Sequence, residues 1–108
     1  MLQRKLRLRH NTGFKAIFDK GKSYPGKYVV VYILKGPTKF GFVASKKVGN
    51  AVSRNRAKRL MREVIRRNLF FLKEDVQIIC IARPIIKGVS YSEVENSIIS
   101  SFKKAKVM

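Results

Sequence analysis

The stretch SRNRAKRLMREVIRRNLFF, residues 53–71, decides the fold, because its apolar residues recur with the period of a helix. On a helical wheel, Leu60, Met61 and Val64 lie within roughly 60° of Ala57 and form one apolar stripe. The opposite side, at about 140–200°, holds Asn55, Arg59, Arg62 and Arg66. We therefore expect one long helix that packs on the rest of the fold and presents a row of cations outward.

The segments before this helix predict a short helix and two strands. The short helix begins at Asn11 or Thr12, either of which can cap it, and ends before Gly21. Residues 28–34 and 40–45 are rich in β-branched and aromatic side chains, which is typical of strands. A Gly-Pro pair between the two strands favours a turn, so we expect them to form a hairpin.

The segments after the long helix complete an α+β fold. Residues 76–82 are almost wholly apolar, which predicts a strand buried on both faces. The last helix begins at Ser90 or Ser92, each followed three residues later by a glutamate that can complete a capping box. The order α-β-β-α-β-α predicts a small sheet with helices packed on it. Residues 1–108 fit one RNA-binding domain, in which the basic segment 1–10 is expected to be flexible.

The charge of the chain points to a polyanionic partner. Lys and Arg number 25 and Asp and Glu 6, so the net charge is +19, and nine of the basic residues fall within residues 46–67. An anionic partner relieves the self-repulsion of so basic a domain, and we expect nucleic acid ahead of a membrane surface. A hydrophobic content of 45% excludes a merely disordered basic tail.

The cysteine count and the hydropathy exclude several classes of protein. Cys80 is the single cysteine, so neither an internal disulfide nor a thiolate metal cluster can form. No apolar run approaches the roughly 18 residues of a membrane span, and the basic N-terminus lacks an apolar signal region. We expect a cytoplasmic protein that does not bind membranes.

The spacing of the arginines on the long helix suits phosphate groups. Arg59, Arg62 and Arg66 lie about one turn apart, roughly 5–6 Å between neighbours, and a guanidinium can bind a phosphate through two hydrogen bonds. The ordinary alternative is a solvated helix face, but such faces usually mix charges to form pairs, whereas only Glu63 interrupts the bases here. The pattern favours nucleic-acid binding.

The loop before the helix is expected to add an anion-binding end. Gly49 permits backbone conformations that other residues resist. Ser53 is expected to cap the helix, whose first N–H groups then attract anions, with Lys46 and Lys47 beside them.

The first strand has an aliphatic face and a tyrosine face. The aliphatic face, which suits the core, holds Val29, Val31 and Ile33. The other face, a candidate platform for stacking bases, holds Tyr28, Val30 and Tyr32. Phe14 and Phe18, four residues apart, either wall the same groove or pack into the core. Spacing alone favours the core, because exposed Phe pairs are uncommon.

The chain lacks a recognisable active site. Two-metal cleavage of a phosphodiester needs clustered carboxylates, but Glu74 and Asp75 are adjacent and their side chains diverge. Metal-free cleavage of RNA commonly needs histidines, and the single histidine, His10, lies in the basic N-terminus, where at most a minor phosphate contact is expected. We therefore expect no catalytic residue and no metal ligand in this chain.

Residues 45–63, SKKVGNAVSRNRAKRLMRE, resemble the signature of the bacterial ribonuclease P protein component. Arg54-Asn55-Arg56 matches the RNR motif of that family within its Ser-Lys-Lys, Gly-Asn-Ala-Val and Lys-Arg frame. The resemblance extends from Arg7-Leu8 near the start to the apolar strand that ends at Ala82-Arg83, so it covers nearly the whole chain.

The resemblance implies a function that composition does not show. In this family a large RNA that uses Mg²⁺, bound mainly by the RNA, cleaves the 5′ leader from precursor tRNA, and the protein is its small non-catalytic subunit. Contacts to the catalytic RNA are implied for Arg54, Asn55, Arg56, Lys58, Arg59 and Arg62, and the helical wheel adds Arg66. Contacts to the leader are implied for Phe14, Phe18 and Tyr32, with Ser45, Lys46 and Lys47 at the edge of the groove. We expect no obligate protein partner.

The resemblance also implies two features of the fold. A short extra strand is expected near residues 22–24, which makes a four-stranded mixed sheet. A left-handed β-α-β crossover is expected as well, against the usual right-handed rule. For Phe14 and Phe18, the resemblance favours the groove over the core.

Two other classes of function are compatible with the composition. One is a structural RNA-binding protein such as a ribosomal component, or a DNA-binding regulator that uses the long helix to read a groove. The other is an autonomous nuclease, which the inventory of carboxylates and histidine disfavours.

Overall fold

Seven helices and strands follow one another in the computed structural model, which describes residues 6–8 and 11–108. They are α1 (Asn11–Lys20), β1 (Lys22–Pro25), β2 (Val29–Lys35), β3 (Lys39–Val43), α2 (Ala51–Asn68), β4 (Val76–Ala82) and α3 (Tyr91–Ala105). Short 3-10 turns lie at Lys46–Val48, Leu69–Phe71 and Pro84–Ile86. His10 and most of the basic segment 1–10 lie outside the described residues, as do the side chains of the two predicted caps of α1.

The four strands form one mixed sheet in the order β1-β2-β4-β3. β2 is antiparallel to both of its neighbours, while β3 and β4 run parallel, so α2 is the crossover that joins them. The α+β class, the four-stranded sheet and the extra strand β1 are confirmed. The left-handed sense of this β-α-β crossover stays a prediction.

The predicted hairpin between β2 and β3 is wrong. β4 lies between them, and Phe40 pairs with Ile78 of β4 instead of with β2. Gly36 does turn the chain, but its N–H donates to the carbonyl of Asp75, at the start of β4, at 3.0 Å. The apolar strand β4 takes the centre of the sheet because only there can both of its faces be buried.

β4 is buried on both faces, as its composition predicts. Ile78 and Cys80 on one face and Ile79 on the other have no solvent exposure. This burial raises the pKa of the Cys80 thiol to about 12, because the apolar surroundings disfavour the thiolate.

The helices cover the two faces of the sheet unequally. On one face, α2 and α3 pack over Val29, Val31 and Ile78 and form the main core. On the other face, α1 contacts β2 and β4 and buries Ile17. One short helix cannot cover a sheet of four strands, so part of this second face stays open to solvent.

Polar contacts fix the end of α2 against the start of α3. The guanidinium of Arg67 lies over the ring of Tyr91, 4.6 Å from its centroid. Glu95 accepts hydrogen bonds from the Tyr91 hydroxyl at 2.9 Å and from the Asn68 amide at 3.0 Å. Burial, with the Glu95 contact second, raises the pKa of Tyr91 to about 12. These contacts hold the C-terminal end of α2 against the N-terminal end of α3.

The start and inner face of α3 follow the sequence pattern. Ser90, one of the two predicted caps, accepts a hydrogen bond from Glu93 N–H at 3.3 Å. Val94, Ile98 and Phe102 have no solvent exposure. None of the helices among the described residues combines the length and the apolar character that crossing a bilayer requires.

Candidate nucleic-acid interface

α2 begins at Ala51, two residues before the predicted cap at Ser53. The cap is Asn50, whose side-chain oxygen accepts a hydrogen bond from Ser53 N–H at 3.0 Å. Asparagine and serine are both preferred caps, so residue type alone did not separate them. The helix ends at Asn68, and the 3-10 turn Leu69–Phe71 replaces the predicted last turn.

The buried stripe of α2 is the one that the helical wheel predicts. Ala57, Met61, Val64 and Ile65 are buried, and Leu60 packs against the core while partly exposed. The predicted RNA-binding residues divide into two groups. The exposed residues are Asn55, Arg59 and Arg66, and the partly buried ones are Arg54, Arg56, Lys58 and Arg62.

Arg62 lies beside the sheet, not opposite it as the wheel predicts. Its guanidinium lies over the ring of Phe42 on β3, 5.7 Å from the centroid. Partial burial and the positive charge of Arg7 lower the pKa of Arg62. Its Nε is buried without a hydrogen-bond partner among the described residues. On the helical wheel, Arg62 lies at the border of the polar side of α2. In the structure, the edge strand β3 lies next to that side of the helix.

Arg66 already holds an anionic partner. Its guanidinium makes two hydrogen bonds of 2.7 Å to the carboxylate of Glu63, which also accepts one from Arg67 at 3.2 Å. These bonds lower the pKa of Glu63 to about 2. Exposed ion pairs of this kind contribute little to stability, so a phosphate can replace Glu63 at small cost.

Arg56 and Arg59 differ in how freely they can reach a ligand. Arg56 donates a hydrogen bond to the carbonyl of Val89 at 3.0 Å, which links α2 to the loop before α3. The side chain of Arg59 is exposed, with no hydrogen bond or ion pair within the part of the chain that the structure describes. Of the two, Arg59 is better placed to bind a phosphate.

Ser45, Lys46 and Lys47 lie between the end of β3 and the start of α2. Ser45 Oγ accepts a hydrogen bond from Lys47 N–H at 3.3 Å, and both lysines are exposed. Gly49 follows with φ 142°, and a β-carbon there would lie 3.1 Å from that of Ser53. This backbone conformation favours glycine and holds the two lysines next to the N-terminus of α2.

α1 lies on the open face of the sheet through its phenylalanines. The ring of Phe14 packs on Gly41, where an added β-carbon would lie 2.6 Å from a ring carbon. Phe18 keeps 40% of its surface exposed. Its ring meets the edge of Tyr32 on β2 with 5.1 Å between centroids, and lies 6.5 Å from Phe14. The three predicted aromatic residues therefore form one continuous row.

A shallow trough runs from this row across the uncovered face of the sheet. The strand register places Val30, Ile81 and Val43 side by side on that face, all partly exposed. Ser45, Lys46 and Lys47 follow one residue after the end of β3 and lie at the far edge of this face. Aromatic rings, an apolar floor and flanking cations are the combination that holds a single nucleic-acid strand.

Tyr28 does not belong to this trough, although strand alternation predicted it there. It precedes β2, and its N–H donates to Ser97 Oγ on α3 at 3.1 Å. Tyr28 packs against the main core and lines a cavity with α3, so its ring lies on the other side of the sheet. The alternation fails because β2 begins only at Val29.

The carboxylates of the described residues do not form a metal site. No three His, Cys, Asp or Glu side chains come together in that part of the chain. Glu63 is bound by two arginines and Glu95 by Tyr91 and Asn68. The described carboxylates are therefore not grouped as oxygen ligands of Mg²⁺.

Sequence reasoning missed two aromatic features beside α2. One is Phe42, which supports the guanidinium of Arg62. The other is the aromatic turn after α2, where Phe70 is 92% exposed. The positive charge of Arg62 and the apolar character of Phe70 are visible in the sequence. The contact of Arg62 with Phe42, however, depends on which strand lies at the edge of the sheet.

Comparisons with known proteins agree on one family. Residues 2–106 match the family model described as Ribonuclease P. The "Ribonuclease P protein component" of Alkaliphilus metalliredigens is 36% identical over 110 residues and covers 99% of both chains. That of Clostridium acetobutylicum is 40% identical over 104 residues, 92% of this chain and 87% of the relative.

Solved structures agree as well. A Staphylococcus aureus RNase P protein mutant with defective mRNA degradation activity matches with a TM-score of 0.88 and 33% identity, over 97% of this chain and 92% of that one. The RNase P protein from Thermotoga maritima matches with a TM-score of 0.82 and 31% identity, over 91% and 96%.

Proposed function

The chain belongs to the ribonuclease P protein family. From this we propose that it is a non-catalytic subunit, which binds RNA while an RNA partner catalyses the cleavage. In this proposal α2 binds the catalytic RNA, and the trough binds the 5′ leader of precursor tRNA. The reaction is the endonucleolytic removal of that leader, with Mg²⁺ held mainly by the RNA.

One observation carries this proposal: the two candidate surfaces lie on opposite faces of one sheet. The basic helix α2 covers one face, and the aromatic trough crosses the other. A single rigid domain can therefore contact a folded RNA with one side and a single strand with the other. Such an arrangement supports a subunit that holds a substrate strand against a catalyst.

The chemistry of the two surfaces suits these two roles. The guanidinium groups of α2 bind phosphates whatever the base sequence, which fits a folded RNA. The rings of Phe18 and Tyr32 offer flat apolar surface to bases that are not paired, which fits a single-stranded leader. Binding of the leader adds affinity for precursor over mature tRNA, and the cations of the protein lower the repulsion between the two RNAs.

A reconstitution tests the proposed function. Precursor tRNA is incubated at low Mg²⁺ with a bacterial ribonuclease P RNA, with and without this protein. We expect cleavage at the leader junction to increase strongly when the protein is present, and no cleavage by the protein alone. Unchanged cleavage would favour a structural RNA-binding or DNA-binding protein, and cleavage without added RNA would reveal an autonomous nuclease.

Arg59→Ala is expected to weaken binding to the catalytic RNA. If Arg59 neutralises one phosphate, its loss flattens the dependence of log K on log salt by somewhat under one unit. Binding is measured by filter retention at salt concentrations from about 50 mM to about 400 mM, a range of about eightfold over which the slope is determined. Lys104→Ala, on the side of α3 that faces the turn between β1 and β2, is the charge-matched control. Equal slopes for Arg59→Ala and the unmodified protein would contradict the role of α2.

Glu63→Gln is expected to strengthen RNA binding and steepen its salt dependence. The change removes one negative charge and frees Arg66 and Arg67 for phosphates. Because the folded-state pKa of Glu63 is depressed from 4.5 to about 2, these pairs are present above pH 4.5 and are lost as the pH falls toward 2. At neutral pH only the substitution frees the arginines.

The matched control for Glu63→Gln is Glu93→Gln. It changes the net charge equally, and glutamine can still complete the capping box of α3. Equal gains in RNA affinity for both variants would mean that net charge alone acts, and that the paired arginines do not reach the RNA.

A further inference from the structure

The turn that ends α2 carries an aromatic pair that belongs to neither surface described above. Phe70 is 92% exposed and Phe71 63% exposed, more than any other phenylalanine among the described residues. Their rings meet edge to face, with 5.6 Å between centroids and an interplanar angle of 90°. Exposed large apolar side chains that lie together are typical of binding sites.

Phe70 stands at the rim of an open cavity of about 500 Å³. Leu6, Phe40 and Leu72 line it with apolar surface. Its charged lining consists of the carboxylates of Glu74 and Asp75 and the single ammonium group of Lys73. In the part of the chain that the structure describes, neither of the two carboxylates takes part in an ion pair or a side-chain hydrogen bond. A volume of this size is ordinary for the binding site of a small ring system.

The position of the pair connects it to the basic helix. Phe70 follows Arg66 by four residues, and the exposed side chains of Arg66 and Arg67 occupy the last turn of α2. An RNA bound along α2 therefore has its backbone next to these rings. The two carboxylates outnumber the one cation, Lys73, in the lining and disfavour phosphate, so the uncharged base is the part of a nucleotide that suits the cavity.

We propose that Phe70 and this cavity bind one unpaired, amino-bearing base (adenine, cytosine or guanine) of the RNA partner. The base stacks on the ring of Phe70, which Phe71 holds in place from the side. Its amino group donates a hydrogen bond to Glu74 or Asp75, as carboxylates accept from amino groups of bases. Uracil has no amino group and lacks this contact. The inference rests on the proposed function, because it places the base in the RNA that α2 binds.

A second copy of this chain is the less favoured occupant. Each chain carries a net charge of +19, so two copies repel each other in the absence of RNA. RNA, in contrast, is attracted by the same charge that keeps the copies apart.

The chain contains no tryptophan, so Phe70→Trp introduces the sole tryptophan at the rim of the cavity, and its emission can be excited separately from that of the four tyrosines. We expect ten-nucleotide oligoadenylate and oligocytidylate to quench its emission by stacking, and oligouridylate to quench it less. Ser100→Trp is the matched control, because Ser100 is exposed on the side of α3 that faces the turn between β1 and β2. Equal quenching at the two positions, or no preference for the amino-bearing oligonucleotides, would overturn the proposal.

Phe70→Ala extends the test to the complete particle. We expect this variant to bind a bacterial ribonuclease P RNA roughly fivefold or more weakly, the lower end of what one base–aromatic stack contributes, while Phe70→Tyr binds normally. Unchanged binding by Phe70→Ala would overturn the base site. A dimer of the unmodified protein that Phe70→Ala dissociates, with unchanged RNA binding, would assign the rings to a contact between copies and also overturn it.

The cleavage assay separates this inference from the proposed function. Phe70→Ala should need a roughly fivefold or higher concentration than the unmodified protein to increase cleavage of precursor tRNA at low Mg²⁺, because it binds the RNA more weakly. If the unmodified protein does not increase cleavage, the proposed function is wrong, whether or not the tryptophan emission is quenched. If the unmodified protein increases cleavage but oligoadenylate and oligocytidylate do not quench the emission of Phe70→Trp, only the proposed base site is wrong.

Discussion

Phe18→Ala is expected to weaken the affinity of the assembled particle for precursor tRNA by about 1–3 kcal/mol, the contribution of one base–aromatic stack. Phe18 is the most exposed ring of the trough, and its edge contact with Tyr32 ties it to the sheet. The variant should still assemble with the catalytic RNA, because α2 lies on the other face. The measurement is equilibrium binding of precursor tRNA to the holoenzyme.

Two comparisons make the Phe18 result specific. Phe18→Tyr keeps the ring and should bind the precursor nearly as well as the unmodified protein. A substrate without a leader should bind equally to Phe18→Ala and to the unmodified protein. The same loss of affinity with and without the leader would show that the trough does not hold it.

Phe102→Ala is expected to lower the free energy of unfolding by about 3–5 kcal/mol, the usual cost of removing a buried phenylalanine. Phe102 lies on the inner face of α3, in the main core, and has no solvent exposure. A domain of this size is stabilised by roughly 5–15 kcal/mol, so a large share of the stability would be lost. Urea unfolding followed by circular dichroism measures the change.

Phe70→Ala is the matched control for stability, because it removes the same ring at 92% exposure. It should change the free energy of unfolding by no more than about 0.5 kcal/mol. A small loss for Phe102→Ala would mean that α3 is not packed on the sheet as described. A large loss for Phe70→Ala would mean that the exposed rings stabilise the fold.

The sequence predicts those parts of the fold that depend on local pattern. The helical period of α2 identifies its buried side, and Ala57, Met61 and Val64 are buried as expected. The apolar run of β4 identifies a strand covered on both faces. In both cases the burial follows from the spacing of apolar residues within one element.

Strand pairing could not be predicted in the same way, because it depends on contacts far apart in the chain. The turn before β3 favours a hairpin, yet β4, more than 30 residues later in the chain, separates β2 from β3. β1 has the sequence KSYP, which carries no strand pattern, and its pairing with β2 makes it a strand. Only the resemblance to the family predicted β1.

The candidate site shows the same division. The cationic side of α2 and the aromatic residues of α1 and β2 are visible in the sequence, and the fold brings Phe14, Phe18 and Tyr32 into one row. The positions of Arg62 over Phe42 and of Tyr28 beside α3 follow from which strand lies at the edge and where β2 begins. Both depend on tertiary structure. The roles assigned to these residues stay predictions.

The burial of Cys80 in the central strand has a practical consequence for studying this protein. The only native thiol has no solvent exposure and a pKa near 12, so maleimide dyes and thiol-directed cross-linkers should not modify it in the folded chain. Cysteines introduced one at a time along α2, the trough or the Phe70 turn would each be the sole reactive group. Attached photo-cross-linkers could then identify the nucleotides next to each position without first replacing Cys80.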